Sequence, residues 1–198
     1  MLKIGITGGI GSGKTTVCRI FETLGIPVFY ADTVAKQIMV EDAILIEGIK
    51  STFGPESYTT DSLLNNKHIA AIVFNNAEEL AKLNALVHPA VFRAFDTWVE
   101  KLPGGIPYIL KEAALLFESG SYKLCDKSIL VTAPVELKLQ RVMERDTVTT
   151  EQVKARMDKQ FSDEIKQNMA DYLITNNETE SLILQVLELH QAFLKINP

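Results

Sequence analysis

Eight residues near the start of the chain, Gly8-Gly9-Ile10-Gly11-Ser12-Gly13-Lys14-Thr15, constrain its fold more than any other segment. Two glycines separated by four residues and followed by Lys-Thr make a loop that can curl around phosphate oxygens, with successive backbone N–H groups converging on the anion. Such a loop works between a strand and a helix, because the helix adds the positive end of its dipole to the same site. Both neighbours are legible: Leu2–Thr7 is a strand-favouring run, and Thr16–Leu24 reads as a helix. Lys14 is expected to reach the β- and γ-phosphates of a nucleoside triphosphate, and Thr15 to place its hydroxyl on Mg²⁺. A plain glycine-rich turn is the alternative, but it has no use for the Lys-Thr ending.

Strand-favouring runs at Leu2–Thr7, Pro27–Tyr30, Tyr108–Leu110, Ser128–Thr132 and Tyr172–Thr175 alternate with longer helical patterns. This alternation predicts an α/β fold of three layers, a central parallel sheet with helices on both faces. From Thr33 to Leu102 the apolar residues recur mostly at helical spacing, so residues 33–102 are expected to form a helical insertion in one domain spanning 1–198. Insertions at the carboxyl ends of strands are where open α/β sheets bind ligands. A polar helical region spans about 135–167, with one helix from Val135 through Arg145 and another from about Thr150 to Gln167. Thr149 with Gln152 three residues later fits a capping box that starts the second. The closing segment Leu182–Leu194 reads as an amphipathic helix belonging to the scaffold.

Composition narrows the function. With 198 residues and 46% apolar content, the chain can bury one substantial core. Its 20 basic and 25 acidic residues give a net charge of −5, which offers no basic field for nucleic acid. Small phosphorylated ligands remain compatible, because a few N–H groups and cations hold a phosphate locally. Cys18 and Cys125 form no Cys-x-x-Cys, so neither a zinc site nor a disulfide framework is suggested. No apolar run approaches the ~20 residues of a membrane-spanning helix, and Met1 leads directly into a strand without a signal-peptide pattern. The expectation is a cytoplasmic protein with no membrane partner. A guanine-nucleotide switch is disfavoured, since Asn66-Lys67 is followed by His68-Ile69 and no Asp-x-x-Gly occurs.

Asp32 stands just beyond the second strand run, at the edge where the phosphate loop lies in a parallel sheet. Two roles fit it: a base that takes the proton of an acceptor hydroxyl, or the N-cap of a helix beginning near Thr33.

Several segments together resemble the dephospho-coenzyme A kinase family, a family of P-loop kinases. The opening Ile4-Gly5-Ile6-Thr7-Gly8-Gly9-Ile10-Gly11-Ser12-Gly13-Lys14-Thr15-Thr16 is similar to that family's start, and Ala31-Asp32 to the end of its Asp-Ala-Asp segment. Leu83-Asn84-Ala85-Leu86-Val87-His88-Pro89 resembles its Leu-Asn…His-Pro element, and Leu115-Leu116-Phe117-Glu118 its Leu-Leu-Phe-Glu. Arg141-Val142-Met143-Glu144-Arg145-Asp146, Gln160, Ala170-Asp171 and Asn176 continue the ordered series across nearly the whole chain. The resemblance implies transfer of the ATP γ-phosphoryl group to the ribose 3′-hydroxyl of dephospho-CoA, with Mg²⁺. It also implies a P-loop core, a helical coenzyme-binding insertion and a mobile lid. By position it makes Asp32 the base, Arg141 a lid arginine on the ATP phosphates, and Asn176 a neighbour of the adenine. Gly9, Gly11, Ser12, Gly13, Lys14, Thr15 and Thr16 would bind ATP, and His88 and Glu118 would line the acceptor pocket. The chain departs from the pattern at Tyr30, where an Asp is usual, at Ala114, where a Pro is usual, and at Asn66, often an Arg. Loss of that cation weakens a phosphate contact unless Lys67 replaces it.

The remaining residues have competing readings. Arg141 and Arg145 share one helix face and can meet a polyphosphate together, although paired surface arginines also have this spacing. His88 before Pro89 predicts a helix end there, with the imidazole satisfying terminal carbonyls. Glu118 is a solvated acid or a substrate contact, and Glu112 either an acid near Mg²⁺ or a partner of Lys14. Phe92, Phe95 and Trp98 at helical spacing read as core. Two rival functions share these features: another small-molecule kinase, and a non-catalytic ATP-binding regulator.

Overall fold

The computed structural model describes residues 1–74 and 76–196, which form two compact units. One unit runs over Met1–Tyr30 and resumes at Pro103; the other is Ala31–Leu102.

The first unit is built on five strands: β1 (Leu2–Thr7), β2 (Val28–Tyr30), β3 (Tyr108–Glu112), β4 (Lys127–Thr132) and β5 (Tyr172–Thr175). They pair in parallel in the order β2-β3-β1-β4-β5. Because β1 is central and later strands lie on both sides of it, its carboxyl end is the switch point where such sheets bind ligands. Helix α1 (Lys14–Thr23) buries Val17, Cys18 and Phe21 against Ile4, Ile6, Tyr108, Ile129 and Val131 of the sheet. Helix α9 (Leu182–Ile196) adds Val186 and Phe193, two turns apart on one face. Each such side chain contributes about 1.5–3 kcal/mol on full burial. Within that cluster the Tyr108 hydroxyl is satisfied by Nδ1 of His190 at 2.6 Å.

Strand β3 continues past Leu110 to Glu112, two residues beyond the run the sequence marks as strand. Lys111 and Glu112, both charged, are nonetheless buried there, 1% and 7% exposed. A strand between two others is held by its ladder whatever its side chains, and the register Tyr30–Glu112–Ile6 fixes Glu112 at the carboxyl edge.

Helix α6 (Val135–Asp146) ends at Thr147 in a left-handed conformation, φ 52°. The capping box then starts α7 (Thr150–Met157): Thr149 N donates to Gln152 Oε1 at 3.0 Å and Gln152 N to Thr149 Oγ1 at 3.4 Å. The single helix expected from about Thr150 to Gln167 is instead two, because the chain turns after Met157 and α8 (Asp163–Met169) begins under its own cap. Ser162 Oγ accepts from Ile165 N at 3.3 Å, a local bond that competes with helix continuation at its own position.

The second unit holds α2 (Ala31–Glu41), α3 (Ala43–Phe53), α4 (Asn66–Val73) and α5 (Ala77–Glu100). Asp42 caps α3 through Leu45 N at 2.9 Å and pairs with Arg93 of α5 at 2.9 Å. The backbone bond from Leu45 leads the causes that hold its carboxyl below the usual range, against partial burial and with help from Arg93. Helix α5 buries Leu83, Val87, Val91 and Phe95 at successive four-residue steps, and Phe95 stacks on Trp98 with centroids 6.2 Å apart. It also overturns the expected helix end at His88, since it runs through Pro89 without a break. A proline inside a helix sacrifices one N–H and crowds a carbonyl one turn back, and the apolar stripe on both sides of it outweighs that loss. Among the described residues no helix is long and apolar enough to cross a membrane.

Candidate active site

The loop from Gly8 to Gly13 joins β1 to α1, as its spacing requires. Gly13 has φ 93°, and a Cβ there would meet Asn176 Nδ2 at 2.2 Å; Gly11 has φ 80°, and a Cβ there would meet the Lys138 carbonyl at 2.5 Å. Both positions therefore need glycine for conformation and for space. Ser12 N closes the loop on Gly9 O at 3.1 Å, and Lys14 Nζ reaches back to Gly8 O at 2.9 Å. Ser12 is buried, and its Oγ has no hydrogen-bond partner among the described residues, a polar atom in the loop for which a ligand can supply a partner. Thr15 and Thr16 are exposed in the first turn of α1, where free helix N–H groups point outward.

A cavity of about 310 Å³ opens against this loop, lined by Gly11, Gly13, Lys14, Thr15, Thr16, Arg141 and Arg145. Arg141 lies over the loop, donating to Gly11 O at 3.5 Å, to Asn176 O at 3.4 Å and to Glu178 Oε1 at 3.0 Å. Asn176, just past β5, donates from Nδ2 to Ser12 O at 2.8 Å and from its backbone to Thr132 O at 2.8 Å. It thus fastens the loop to the sheet edge. Arg145 is 64% exposed and held by Asp146 at 2.7 Å. The hydrogen bond from Arg145, opposed by burial and reinforced by the hydrogen bond from Arg156, keeps the Asp146 carboxyl down at about 2. Cys18 lies on α1, and burial pushes its thiol well above the ordinary range, reinforced by Glu112 and Glu22 and opposed by Lys14.

Other candidates fall elsewhere. Glu118 is not solvated: its Oε1 accepts from Phe161 N at 2.8 Å and pairs with Lys166 Nζ at 2.9 Å, and Lys166 is 0% exposed. Asp32 belongs to the second unit, exposed in the first turn of α2. Because α2 starts at Ala31 and not near Thr33, Asp32 lies inside the helix and does not cap it. His88 is half-buried in mid-helix, its ring 6.4 Å from that of Phe92. Asn66 opens α4 and lines a cavity of about 560 Å³ with Lys36, Met39, Val40, Leu63 and Leu64.

Sequence reasoning missed Lys138, Asp163 and Lys166. Lys138 is 3% exposed and, with Thr132, binds the Asp163 carboxylate beside Gly9. One signal was present, since Lys138 falls one turn before the buried Val142 on the same helix face. No comparable signal marks Lys166.

No group of three or more His, Cys, Asp or Glu side chains able to hold a metal occurs among the described residues. Mg²⁺ in a nucleotide site takes one or two protein oxygens beside phosphate oxygens and waters, and the exposed Thr15 hydroxyl is such an oxygen.

A phosphate loop at the switch point of a five-stranded parallel sheet, with an arginine from α6 laid across it, defines a P-loop kinase. The dephospho-CoA kinase family model matches residues 2–181. A dephospho-CoA kinase of Chlorobaculum tepidum is 41% identical over 201 residues, covering 98% of this chain and 96% of its own. Among solved structures, a Thermus thermophilus protein superposes with a TM-score of 0.84 at 34% identity, covering 100% of this chain and 98% of its own. The dephospho-CoA kinase of Campylobacter jejuni does so at 0.71 and 31% identity, covering 99% and 98%. The chain belongs to the dephospho-CoA kinase family.

Proposed function

We propose that this kinase transfers the γ-phosphoryl group of ATP directly to the ribose 3′-hydroxyl of dephospho-CoA, giving CoA and ADP. The observation that carries the reading is the convergence of Gly11, Gly13, Lys14, Thr15, Thr16 and Arg141 on one cavity. In this reading the loop N–H groups hold the phosphates, and Lys14 exchanges Gly8 O for β- and γ-phosphate oxygens. Asp32 accepts the hydroxyl proton as the oxygen attacks phosphorus, and the leaving oxygen departs with ADP. Arg141 offsets the charge that spreads over the equatorial oxygens. Thr15, together with phosphate oxygens, would hold Mg²⁺, which when bound would supply charge neutralisation at the transferred group. Asn176 seats Ser12 and thereby the part of the loop nearest the nucleoside.

On the acceptor side, His88 is a substrate contact. Lys36 shares its cavity with Asn66 and makes no ion pair among the described residues, so it supplies a cation where Asn66 lacks one. Glu118 acts through the segment it pins. ATP supply and two free cysteines fit a cytoplasmic setting.

The test is ADP release with Mg²⁺ and ATP in the presence of dephospho-CoA, AMP or adenosine, with the product identified by mass. Stimulation by dephospho-CoA, with one phosphoryl group added to it, is expected. ATP binding without transfer to that acceptor would leave only the phosphate-loop assignment.

A further inference from the structure

The turn between α7 and α8 is bonded to the phosphate loop. Gln160 Oε1 accepts from Ile10 N at 3.0 Å, across 150 residues of chain. Ile10 is the amide at the tip of the loop, and in a bare loop it points to solvent or to an anion. The glutamine oxygen fixes that amide without adding charge to a site built for anions.

The turn is itself fastened on both sides of Gln160. Phe161 N donates to Glu118 Oε1 at 2.8 Å, and the same oxygen pairs with the buried Lys166 Nζ at 2.9 Å. Two residues on, Asp163 is bound by Lys138 and Thr132. Glu118 leaves the stretch after β3, Thr132 ends β4 and Lys138 lies in α6, so three elements of the first unit hold the backbone from which Gln160 reaches. By contrast α7 is tied to α6 through a partly exposed ion pair, Arg156 with Asp146 at 2.7 Å.

We propose that Gln160 is a positioning residue for phosphoryl transfer, setting the tip of the phosphate loop through Ile10 N, and that the Glu118–Lys166 pair holds it in reach. The turn at Gln160 is then a fixed wall of the ATP site, not part of a moving lid. The inference rests on reading the loop as the ATP phosphate site. It adds a role for Glu118 in place of direct substrate contact. A loop tip displaced by a fraction of an ångström lowers the chance of in-line geometry more than it weakens binding, so the effect falls on turnover.

Two substitutions separate position from charge. Gln160→Ala removes the acceptor; kcat is expected to fall about 10-fold or more with KM for ATP within about threefold. Gln160→Glu keeps an oxygen at the same reach and adds a negative charge; kcat is expected within about threefold of wild type, with KM for ATP raised about 10-fold. A wild-type kcat in Gln160→Ala, or a Gln160→Glu enzyme as slow as the alanine variant, would overturn the proposal. Amide hydrogen exchange of Ile10 in the nucleotide-free protein decides the contact independently of the acceptor. Protection in wild type and its loss in Gln160→Ala supports it, and equal exchange in the two proteins rules it out, whether or not dephospho-CoA proves to be the substrate.

Discussion

Lys14 and Asp32 illustrate two ways in which a single residue acquires a role. Lys14 is defined by its neighbours in sequence: a glycine loop before it and a helix after it leave its Nζ folded back on Gly8 O, the contact it is proposed to exchange for phosphate oxygens. Asp32 is defined by where its helix begins. Its place inside the first turn of α2 removes the capping role and leaves a carboxylate near the positive end of an 11-residue helix. Asp32→Asn keeps that shape and removes the proposed base, so kcat with dephospho-CoA should fall by about 10²- to 10⁴-fold while circular dichroism stays unchanged. An asparagine variant of full activity would return Asp32 to the scaffold. Arg141 and Arg145 look equivalent in sequence, one helical turn apart. Tertiary contacts separate them, with Arg141 bonded to Gly11 and Asn176 and Arg145 pointing to Asp146.

At the level of elements, the edge strand β5 depends on a residue that resembles ordinary surface acid. Asp171 Oδ2 accepts from both N and Oγ of Ser128 at 2.8 Å, Oδ1 pairs with Lys127 at 3.1 Å, and Asp171 N donates to Ser128 Oγ at 3.1 Å. These bonds set the register in which Ile129 faces Tyr172. Burial alone would raise the Asp171 carboxyl, but the hydrogen bonds from Ser128 and Lys127 outweigh it and hold it below the usual range. A depressed value stabilises the fold above the unfolded carboxyl pKa, and the contribution disappears as pH falls through the folded value. Urea unfolding of wild type and Asp171→Asn should therefore differ most near neutrality and converge below about pH 4. A gap independent of pH would mean that the carboxylate charge contributes nothing. Element boundaries were less legible than elements. The split of α7 from α8 and the passage of α5 through Pro89 depend on what each segment packs against, which local propensity does not encode.

For the whole molecule, nucleotide binding and stability are linked. A ligand present at 100 times its Kd stabilises the state that binds it by about 2.7 kcal/mol. For a chain of this size that corresponds to a rise in melting midpoint of roughly 5–10 °C. Mg²⁺ and ATP should produce such a shift in wild type, and Lys14→Ala should lose most of it. An unchanged midpoint for the wild type at saturating ATP would take the nucleotide out of the loop. The net charge of −5 does not oppose this binding, because in the proposed site a few convergent N–H groups and Lys14 would hold the anion locally.

The sequence alone determined the strand set, the phosphate loop and its flanking helix, and the helical character of residues 33–102. These depend on short-range rules: apolar alternation, glycine conformations and Lys-Thr at a fixed offset. Only the tertiary structure decided that Lys111 and Glu112 lie in a buried strand, that Glu118 pairs with Lys166, and that Gln160 reaches Ile10. Each of these joins residues far apart in the chain, and whether a charged or amide side chain is buried depends on the partner the fold brings to it, not on its neighbours in sequence.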